Sequence, residues 1–324
     1  MRILFAGSPG IAIPSLSALA DMQIAGTGIT VAGLLTNPDS PRGRSGKPEP
    51  TEAGVFAAEL SQKLARAGHP PIRQCKPETL GAEAREAVSE MKPDLLVAFA
   101  YGRIFGPKFL SLFPLGGINI HPSLLPKYRG ATPIPAAILN QDRETGITIQ
   151  RIAAEPDTGD ILAQERFPLN GRETAGSLSE TAAQKAGAML PAVIEEIARK
   201  GFSGQSQTGE ASYCSLISKA DGRIDWALPA DAIDARIRAY TPWPLSWTIH
   251  GDQRLYILEA APHTGDASEA CPGTVLGTDD PAGILVQTGR GILGITRLQY
   301  RAKKALPWRD FLNGARNFLT ASLS

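Results

Sequence analysis

Asp94-Leu95-Leu96-Val97-Ala98-Phe99-Ala100 is the strongest signal of a buried strand in this 324-residue chain. A continuous apolar run bounded by turn residues is typical of a strand that is covered on both faces. Two similar runs precede it, Ile3-Leu4-Phe5-Ala6 and residues 29–36, and a third, Gly117-Ile118-Asn119-Ile120, follows it. Apolar strands that alternate with helices predict βαβ units and a parallel sheet.

Helices are predicted between and after these strands. Residues 11–20 and 175–200 carry a helical pattern, and residues 51–67 place Ala, Leu and Phe on one face with Thr51 as the N-cap. Open sheets of this kind bind ligands beyond the carboxyl ends of their strands. We therefore predict an α/β domain with a parallel-rich sheet over residues 1–200, with its ligand site at the carboxyl ends of the strands.

The pattern changes after residue 200. The segment 201–210 is rich in Gly, Ser and Gln, which predicts a linker. Short strand-like runs separated by turn signals then predict a small β-barrel over residues 211–324. The predicted strands are 245–249, 254–259, 273–276, 283–286 and 291–298, and the predicted helices are 230–239 and 308–318.

The composition excludes several classes of protein. The 33 Lys and Arg nearly balance the 32 Asp and Glu, giving a net charge of +1, so a polyanion would have to bind a local patch. No apolar run reaches the roughly 18 residues of a membrane span, and the first apolar stretch is too short for a signal peptide. The three cysteines form no CxxC pair and the four histidines lack metal-ligand spacing. We therefore expect a cytoplasmic protein without disulfides or a metal site.

Two polar clusters carry the candidate chemistry. Residues two apart on a strand share a face, so Asn119 and His121 project together from a strand end that Pro122 terminates. A second cluster, Glu155-Pro156-Asp157-Thr158-Gly159-Asp160, has a Thr-Gly tip that is predicted to present Asp160. When an amine attacks a carbonyl, an Asn amide and an imidazole N–H can donate to the oxyanion, and a carboxylate can orient the His and accept the proton. This set of residues fits acyl transfer to an amine.

Each motif also has a purely structural interpretation. The Asn-x-His pair can be a surface turn or a satisfied polar pair, and Asp-x-Gly-Asp is a common turn. Ser123 lacks the G-x-S-x-G context of a hydrolase nucleophile. Gly7-Ser8-Pro9-Gly10 matches neither G-x-G-x-x-G nor G-K-[ST], so we interpret it as a tight strand-to-helix turn rather than a nucleotide loop.

Longer motifs give the chain a family resemblance. It resembles the methionyl-tRNA formyltransferases nearly end to end, and the Asn-x-His and Asp-Thr-Gly-Asp motifs are shared by all folate-dependent formyltransferases and hydrolases of this fold. The motifs of the first half are Phe5-Ala6-Gly7-Ser8-Pro9, Asn37-Pro38-Asp39, Ala98-Phe99-Ala100-Tyr101-Gly102, Ile118-Asn119-Ile120-His121 and Tyr128-Arg129-Gly130-Ala131. The second half discriminates within that group, because a glycinamide ribonucleotide formyltransferase would normally stop after the first domain. Its motifs are Ile224-Asp225-Trp226, the 237–247 segment with Trp243-Pro244, and Pro272-Gly273-Thr274.

The resemblance implies a folate-dependent enzyme of translation initiation, with a Rossmann-like catalytic domain over residues 1–200 followed by an OB-like β-barrel over residues 211–324. The formyl donor would be 10-formyltetrahydrofolate and the acceptor the α-amine of methionine on the initiator tRNA, with no metal required. Asn119, His121 and Asp160 match the family's catalytic residues. The implied folate-contacting positions are Ser123, Leu124, Leu125, Pro126, Ala100, Tyr101, Gly102 and Asp157.

Local basic segments fit a tRNA partner. Residues 295–324 hold six basic residues and one acidic residue, and the 39–48 loop holds three basic residues and one acidic residue. RNA that is recognised through its acceptor end and backbone shape does not need a globally basic protein. The predicted tRNA contacts are Arg42, Arg44, Lys47, Arg301, Lys303 and Lys304. The alternative for Lys303-Lys304 is an ordinary solvated face.

The chain departs from the family pattern at three places. Gly10 stands where an acidic residue is usual, Pro122 stands where Gly is frequent, and the 39–48 loop is short. The first two departures do not change the predicted catalytic residues. The third, the short loop, could change the affinity for tRNA. Two other functions stay open: a formyltransferase acting on an amino sugar nucleotide, and a non-catalytic tRNA-binding protein. No exposed heptad pattern indicates an obligate oligomer, so we predict a monomer.

Overall fold

The apolar runs of the first half pair as neighbouring strands. The computed structural model describes residues 1–41, 46–265, 269–315 and 317–324. The strands of the first two thirds of the chain are β1 (Arg2–Ala6), β2 (Thr30–Leu35), β3 (Ser40–Pro41), β4 (Pro48–Glu49), β5 (Arg73–Cys75), β6 (Leu95–Phe99), β7 (Gly117–His121), β8 (Arg129–Gly130), β9 (Glu144–Arg151), β10 (Ile161–Pro168) and β11 (Tyr213–Cys214).

Within the described residues, seven of these strands form one sheet in the order β10-β9-β7-β6-β1-β2-β5. The pairs β1/β2, β1/β6, β2/β5 and β6/β7 are parallel, whereas β7/β9 is antiparallel. Ile3, Phe5, Leu95 and Val97 of the central strands are fully buried. Burial on both faces explains why β1 and β6 are continuous apolar runs rather than alternating ones.

Helices connect the strands as expected. Thr51 caps α2, because its hydroxyl accepts a hydrogen bond from the Gly54 amide at 3.1 Å. The helices of this part are α1 (Ile13–Ile24), α2 (Glu52–Arg66), α3 (Ala82–Ser89), α4 (Pro107–Leu110), α5 (Pro133–Leu139) and α6 (Ala175–Lys200). The predicted strands at β1, β2, β6 and β7 and the predicted helices at α1, α2 and α6 are therefore confirmed. The sequence analysis did not identify β9 or β10.

The C-terminal part is built on an antiparallel sheet. Its strands are β12 (Ser246–His250), β13 (Gln253–His263), β14 (Val275–Asp279), β15 (Gly283–Gln287), β16 (Ile292–Tyr300) and β17 (Leu306–Pro307), and its helices are α7 (Ala230–Ala239) and α8 (Trp308–Gly314). The main path is β12-β13-β16-β15-β14, and β17 pairs with β16. Ile233, Leu255, Val286 and Leu298 are among the residues of its buried core. The predicted class, a parallel-rich sheet followed by antiparallel strands, is confirmed.

The last helix is shorter than predicted. The sequence pattern favoured 308–318, but α8 ends at Gly314, and Ala315 leaves the helical region with φ −131° and ψ 62°. A separate 3₁₀ turn covers Phe318–Thr320. Phe318 is fully buried, so its apolar character reflects packing in this core rather than continuation of the helix.

The described chain divides into two units. The first comprises Met1–Pro133, Glu144–Phe167 and Ser179–Cys214, and the second comprises Ile134–Arg143, Pro168–Leu178 and Ser215–Ser324. The segment 201–210, predicted from composition as a linker, falls in the first unit. Across the described residues, no helix is long and apolar enough to cross a membrane.

Candidate active site

The carboxyl end of β7 presents the Asn-x-His pair. Asn119 pairs across the sheet with Gln150 of β9, and His121 pairs with Thr148. Directly paired residues on neighbouring strands lie on the same face, so Asn119 and Gln150 form one polar pair. His121 is 4% exposed. The prediction that Asn119 and His121 project together from a strand end agrees with this register.

The carboxylate at this pair belongs to Asp157. Its Oδ1 accepts from Gln150 Nε2 at 2.9 Å and from Asn119 Nδ2 at 3.3 Å, and it lies 3.5 Å from His121 Nδ1. Its Oδ2 accepts from the Gly130 amide at 2.8 Å. The Asp157 side chain is only 12% exposed, so these donors replace the water that a buried carboxylate loses.

Asp160, the carboxylate predicted to act with Asn119 and His121, makes a different contact. Its Oδ1 accepts from the Ser206 hydroxyl at 3.0 Å, on an exposed contact. The path of the turn over residues 157–160 explains why Asp160 makes this contact. A Cβ on Gly159 would overlap the carbonyl oxygen of Arg151, so only glycine lets the chain fold back this closely over the end of β9. The turn thereby directs Asp157, and not Asp160, toward Asn119 and His121.

The protonation of His121 follows from its hydrogen bond. Nε2 lies 2.8 Å from the carbonyl oxygen of Tyr128, and a carbonyl can only accept, so Nε2 carries the proton. Burial lowers the pKa of His121 below its ordinary value, and the Asp157 carboxylate and the Tyr128 carbonyl only partly oppose this effect. The ring is therefore neutral at neutral pH, and the lone pair of Nδ1 faces Asp157.

Left-handed backbone conformations cluster around the site. Ala100, Tyr128 and Asp157 have φ values of 52°, 60° and 57°. Such conformations are uncommon for residues other than glycine and persist where the surrounding structure holds them. Ala100 follows β6, Tyr128 precedes β8, and Asp157 lies in the turn between β9 and β10.

A cleft opens beside these groups. Its polar lining includes Asn119, Gln150 and Asp157. The side chain of Ile104 also lines this cleft and is 76% exposed. The remaining lining residues are Arg103, Phe105, Arg151, Ile152, Ala153, Ala154, Glu155 and Pro156. An apolar cleft with a few convergent polar groups is the usual form of a small-molecule site.

The predicted folate-contacting residues take different places. Asp157 lines the cleft, and Ala100 and Gly102 are exposed on the loop before Arg103. Tyr101 packs into the apolar core with 2% exposure and stacks on Phe105, so its side chain is not presented to a ligand.

The Ser123 to Pro126 segment is held inside the fold. The Ser123 hydroxyl donates to the carbonyl of Lys127 at 2.6 Å, and the Leu125 amide donates to the Thr148 hydroxyl oxygen at 3.2 Å. Ser123 and Leu125 are buried, whereas Leu124 and Pro126 are half-buried. The segment therefore shapes the loop between His121 and Tyr128, and Ser123 offers no free hydroxyl.

The predicted tRNA contacts are only partly described. Arg42 and Arg44 lie outside the described residues, and Lys47 is exposed. Arg301, Lys303 and Lys304 are exposed on the turn that follows β16. The Arg301 amide bonds to the carbonyl of Arg254, whose guanidinium stacks 3.9 Å from the centre of the Trp247 ring. The sequence analysis did not identify Arg254 as a basic residue next to Arg301.

The sequence analysis also missed two polar side chains around Asp157. Gln150 is 1% exposed and alternates with Ile147 and Ile149 along β9, a pattern that was available in the sequence. Gln207 bonds to the backbone of Asp157 and Gly159, both at 2.9 Å. Nothing in the composition of residues 201–210 distinguishes Gln207 from a linker residue.

Family models match both parts of the chain. The model described as formyl transferase matches residues 1–194, and the model described as formyl transferase, C-terminal domain, matches residues 216–316. Among curated proteins, the methionyl-tRNA formyltransferase of Treponema denticola is 44% identical over 324 residues, covering 98% of each chain.

Solved structures share the fold at lower identity. WlaRD, a sugar 3N-formyl transferase crystallised in the presence of dTDP and 5-N-formyl-THF, aligns with a TM-score of 0.64 at 20% identity, covering 94% of this chain and 99% of that one. A methionyl-tRNA formyltransferase from Clostridium thermocellum aligns with a TM-score of 0.55 at 17% identity, covering 82% and 95%. Similarity at this level establishes the fold alone.

Proposed function

The chain belongs to the methionyl-tRNA formyltransferase family, and on that premise we propose that it formylates the α-amino group of methionine on the initiator tRNA. The formyl donor is 10-formyltetrahydrofolate. The observation that carries the proposal is the convergence of Asn119, His121 and Asp157 beside one cleft.

Asn119 supplies the donor to the oxyanion. When the amine attacks the formyl carbon, negative charge develops on the formyl oxygen, and an amide N–H aimed at that oxygen stabilises it. One hydrogen of Asn119 Nδ2 contacts Asp157 at 3.3 Å, which leaves the other for the substrate. His121 cannot share this role while neutral, because its N–H is held by Tyr128. This departs from the sequence-based prediction, which gave both residues as donors.

His121 and Asp157 together handle the proton. The attacking amine loses a proton as its bond to carbon forms, and the lone pair of His121 Nδ1 and the Asp157 carboxylate are the bases beside the cleft. The departing nitrogen of the folate needs one proton as the bond to the formyl carbon breaks. The same pair can accept the first proton and return it, so the site ends the reaction in its starting state.

The cleft fits a folate. Ile104 and Phe105 give its lining apolar surface, and Asn119, Gln150 and Asp157 add amide and carboxylate groups. A flat, polar heterocycle attached to an apolar ring system matches such a lining. The formyl group would then lie next to Asn119 and Asp157.

The basic turn after β16 supports a tRNA partner. Arg301, Lys303 and Lys304 are exposed on this turn. The Arg301 amide bonds to the Arg254 carbonyl, and the guanidiniums of Arg254 and Arg223 lie 3.9 Å and 6.0 Å from the ring centre of Trp247. Basic side chains combined with aromatic rings are a common arrangement in proteins that bind RNA.

A panel of acceptors tests the proposal. The purified protein is mixed with 10-formyltetrahydrofolate and, separately, charged initiator tRNA, charged elongator tRNA or an amino sugar nucleotide. Formylation of the initiator tRNA alone is the expected result. Formylation of the sugar alone would show that the protein is a sugar formyltransferase instead. If the protein binds tRNA but neither formylates it nor binds folate, it is a non-catalytic tRNA-binding protein. The predicted monomer is checked by sedimentation of the same preparation.

A further inference from the structure

We propose that Gln207 is a positioning residue, which ties the turn carrying Asp157 to the loop carrying Tyr128, Arg129 and Gly130. The inference rests on the proposed formyl transfer, since it concerns how the side chains of the same site are held in position. Gln207 lies in the segment predicted as a linker, and none of the roles assigned above uses its side chain.

The amide nitrogen of Gln207 holds the turn. Nε2 donates to the carbonyls of Asp157 and Gly159, each at 2.9 Å, and lies 3.3 Å from Gln150 Oε1. The two carbonyls flank the tip of the turn. One side chain therefore fixes both ends of the segment that aims the Asp157 carboxylate at Asn119 and His121.

The amide oxygen of Gln207 holds the loop. Oε1 accepts from the Arg129 guanidinium at 2.7 Å and 3.2 Å. Arg129 stands between Tyr128, whose carbonyl accepts from His121, and Gly130, whose amide donates to Asp157. The orientation of the Gln207 amide is determined by its partners, because a flip would place N–H against guanidinium and oxygen against carbonyls.

The segment that contains Gln207 is attached to the fold by other contacts than the Gln207 side chain. The backbone of Gln205 pairs with Ile161 through bonds of 2.7 Å and 2.9 Å, and Ser206 bonds to Asp160 at 3.0 Å. Replacing the side chain of Gln207 therefore leaves the segment docked. Its effect is confined to the alignment of Asp157 with His121.

Kinetics of three variants test the proposal. Gln207→Ala is expected to lower kcat about 10- to 100-fold, because small displacements of reacting groups have effects of this size. The KM for charged tRNA should stay near the wild-type value. Gln205→Ala is the matched control: the same residue type two positions away, with an exposed side chain, and it should change kcat less than about twofold.

Gln207→Glu separates positioning from packing. Glutamate keeps the size of the side chain and an oxygen for Arg129, but it loses the donors to Asp157 and Gly159. If Gln207 holds the turn, this variant stays as impaired as Gln207→Ala. If Gln207 only fills space or pairs with Arg129, this variant recovers wild-type kcat, and the proposal is overturned.

The nitrogen resonances of the four histidines give a readout that does not depend on activity. Asp157 raises the pKa of His121, so loosening the turn should move the His121 titration to lower pH in Gln207→Ala but not in Gln205→Ala. The other charged or titratable groups around the turn and loop are Arg129, Arg151, Asp160 and Cys214. An unmoved His121 titration would overturn the positioning role. Absence of wild-type turnover would instead count against the proposed function, and the titration would still decide the role of Gln207.

Discussion

Replacing Asp157 by asparagine removes one buried negative charge while keeping the size of the side chain. The carboxylate accepts from Gln150, Asn119 and Gly130 at 2.8–3.3 Å and faces His121 at 3.5 Å. An amide in its place must turn its own N–H groups toward some of these donors. It can neither take up the amine proton nor favour a proton on His121.

The loss can be estimated from these contacts. General acid–base catalysis contributes about 10²- to 10⁴-fold, so we expect kcat to fall about 10³-fold, equivalent to about 4 kcal/mol of barrier. Hydrogen bonds to a charged group contribute about 1.5–3 kcal/mol each, so the free energy of unfolding should also fall.

The assay is steady-state formylation of charged initiator tRNA, with a folate-binding titration and urea unfolding on the same samples. Asp160→Asn is the matched control, since its carboxylate makes an exposed contact with Ser206. That variant should keep kcat within about twofold of wild type, as expected for a surface substitution. Wild-type kcat in Asp157→Asn, or an equal loss in both variants, would refute the assignment of Asp157 over Asp160.

Three further predictions concern stability. Gly159→Ala should lower the free energy of unfolding by about 1–3 kcal/mol and reduce activity, because the new Cβ overlaps the Arg151 carbonyl; unchanged urea unfolding would contradict this. Tyr101→Phe should raise stability by about 1 kcal/mol without loss of activity, because the Tyr101 hydroxyl is buried without a hydrogen-bond partner among the described residues; a lower unfolding midpoint would contradict this. Burial lowers the pKa of His121 and of His250 below 6.5 in the folded state, so the unfolded chain binds more protons there, and stability should fall as pH drops below 6.5. A shallower pH dependence in His121→Gln checks the His121 part, and an unchanged one would contradict it.

The sheet could be predicted because its signals are local. β1, β6 and β7 contain apolar runs, and Thr51 was predicted as an N-cap, which its contact with the Gly54 amide confirms. The Asn119 and His121 pair followed from strand periodicity. β9 was not predicted: it alternates Ile147 and Ile149 with Thr148 and Gln150, and the buried Gln150 belongs to the site.

The carboxylate of the site could not be chosen from the sequence. Asp157 and Asp160 flank the same Thr-Gly tip, and their directions depend on how closely Gly159 approaches Arg151 of a different segment. Gln207 was interpreted as part of a linker for the same reason: its four partners lie far away in the sequence. Composition reports the flexibility of a free segment but not the hydrogen bonds that hold it in the fold.

The most direct test of the account follows the formyl group itself. Excess protein is mixed with 10-formyltetrahydrofolate that carries a labelled formyl carbon and with charged initiator tRNA, and the reaction is stopped at intervals. We predict that the label moves to methionine on the tRNA, with one tetrahydrofolate formed for each formylmethionine. Release of the label as formate, or its retention on a bound folate in the presence of the charged tRNA, would contradict the central claim.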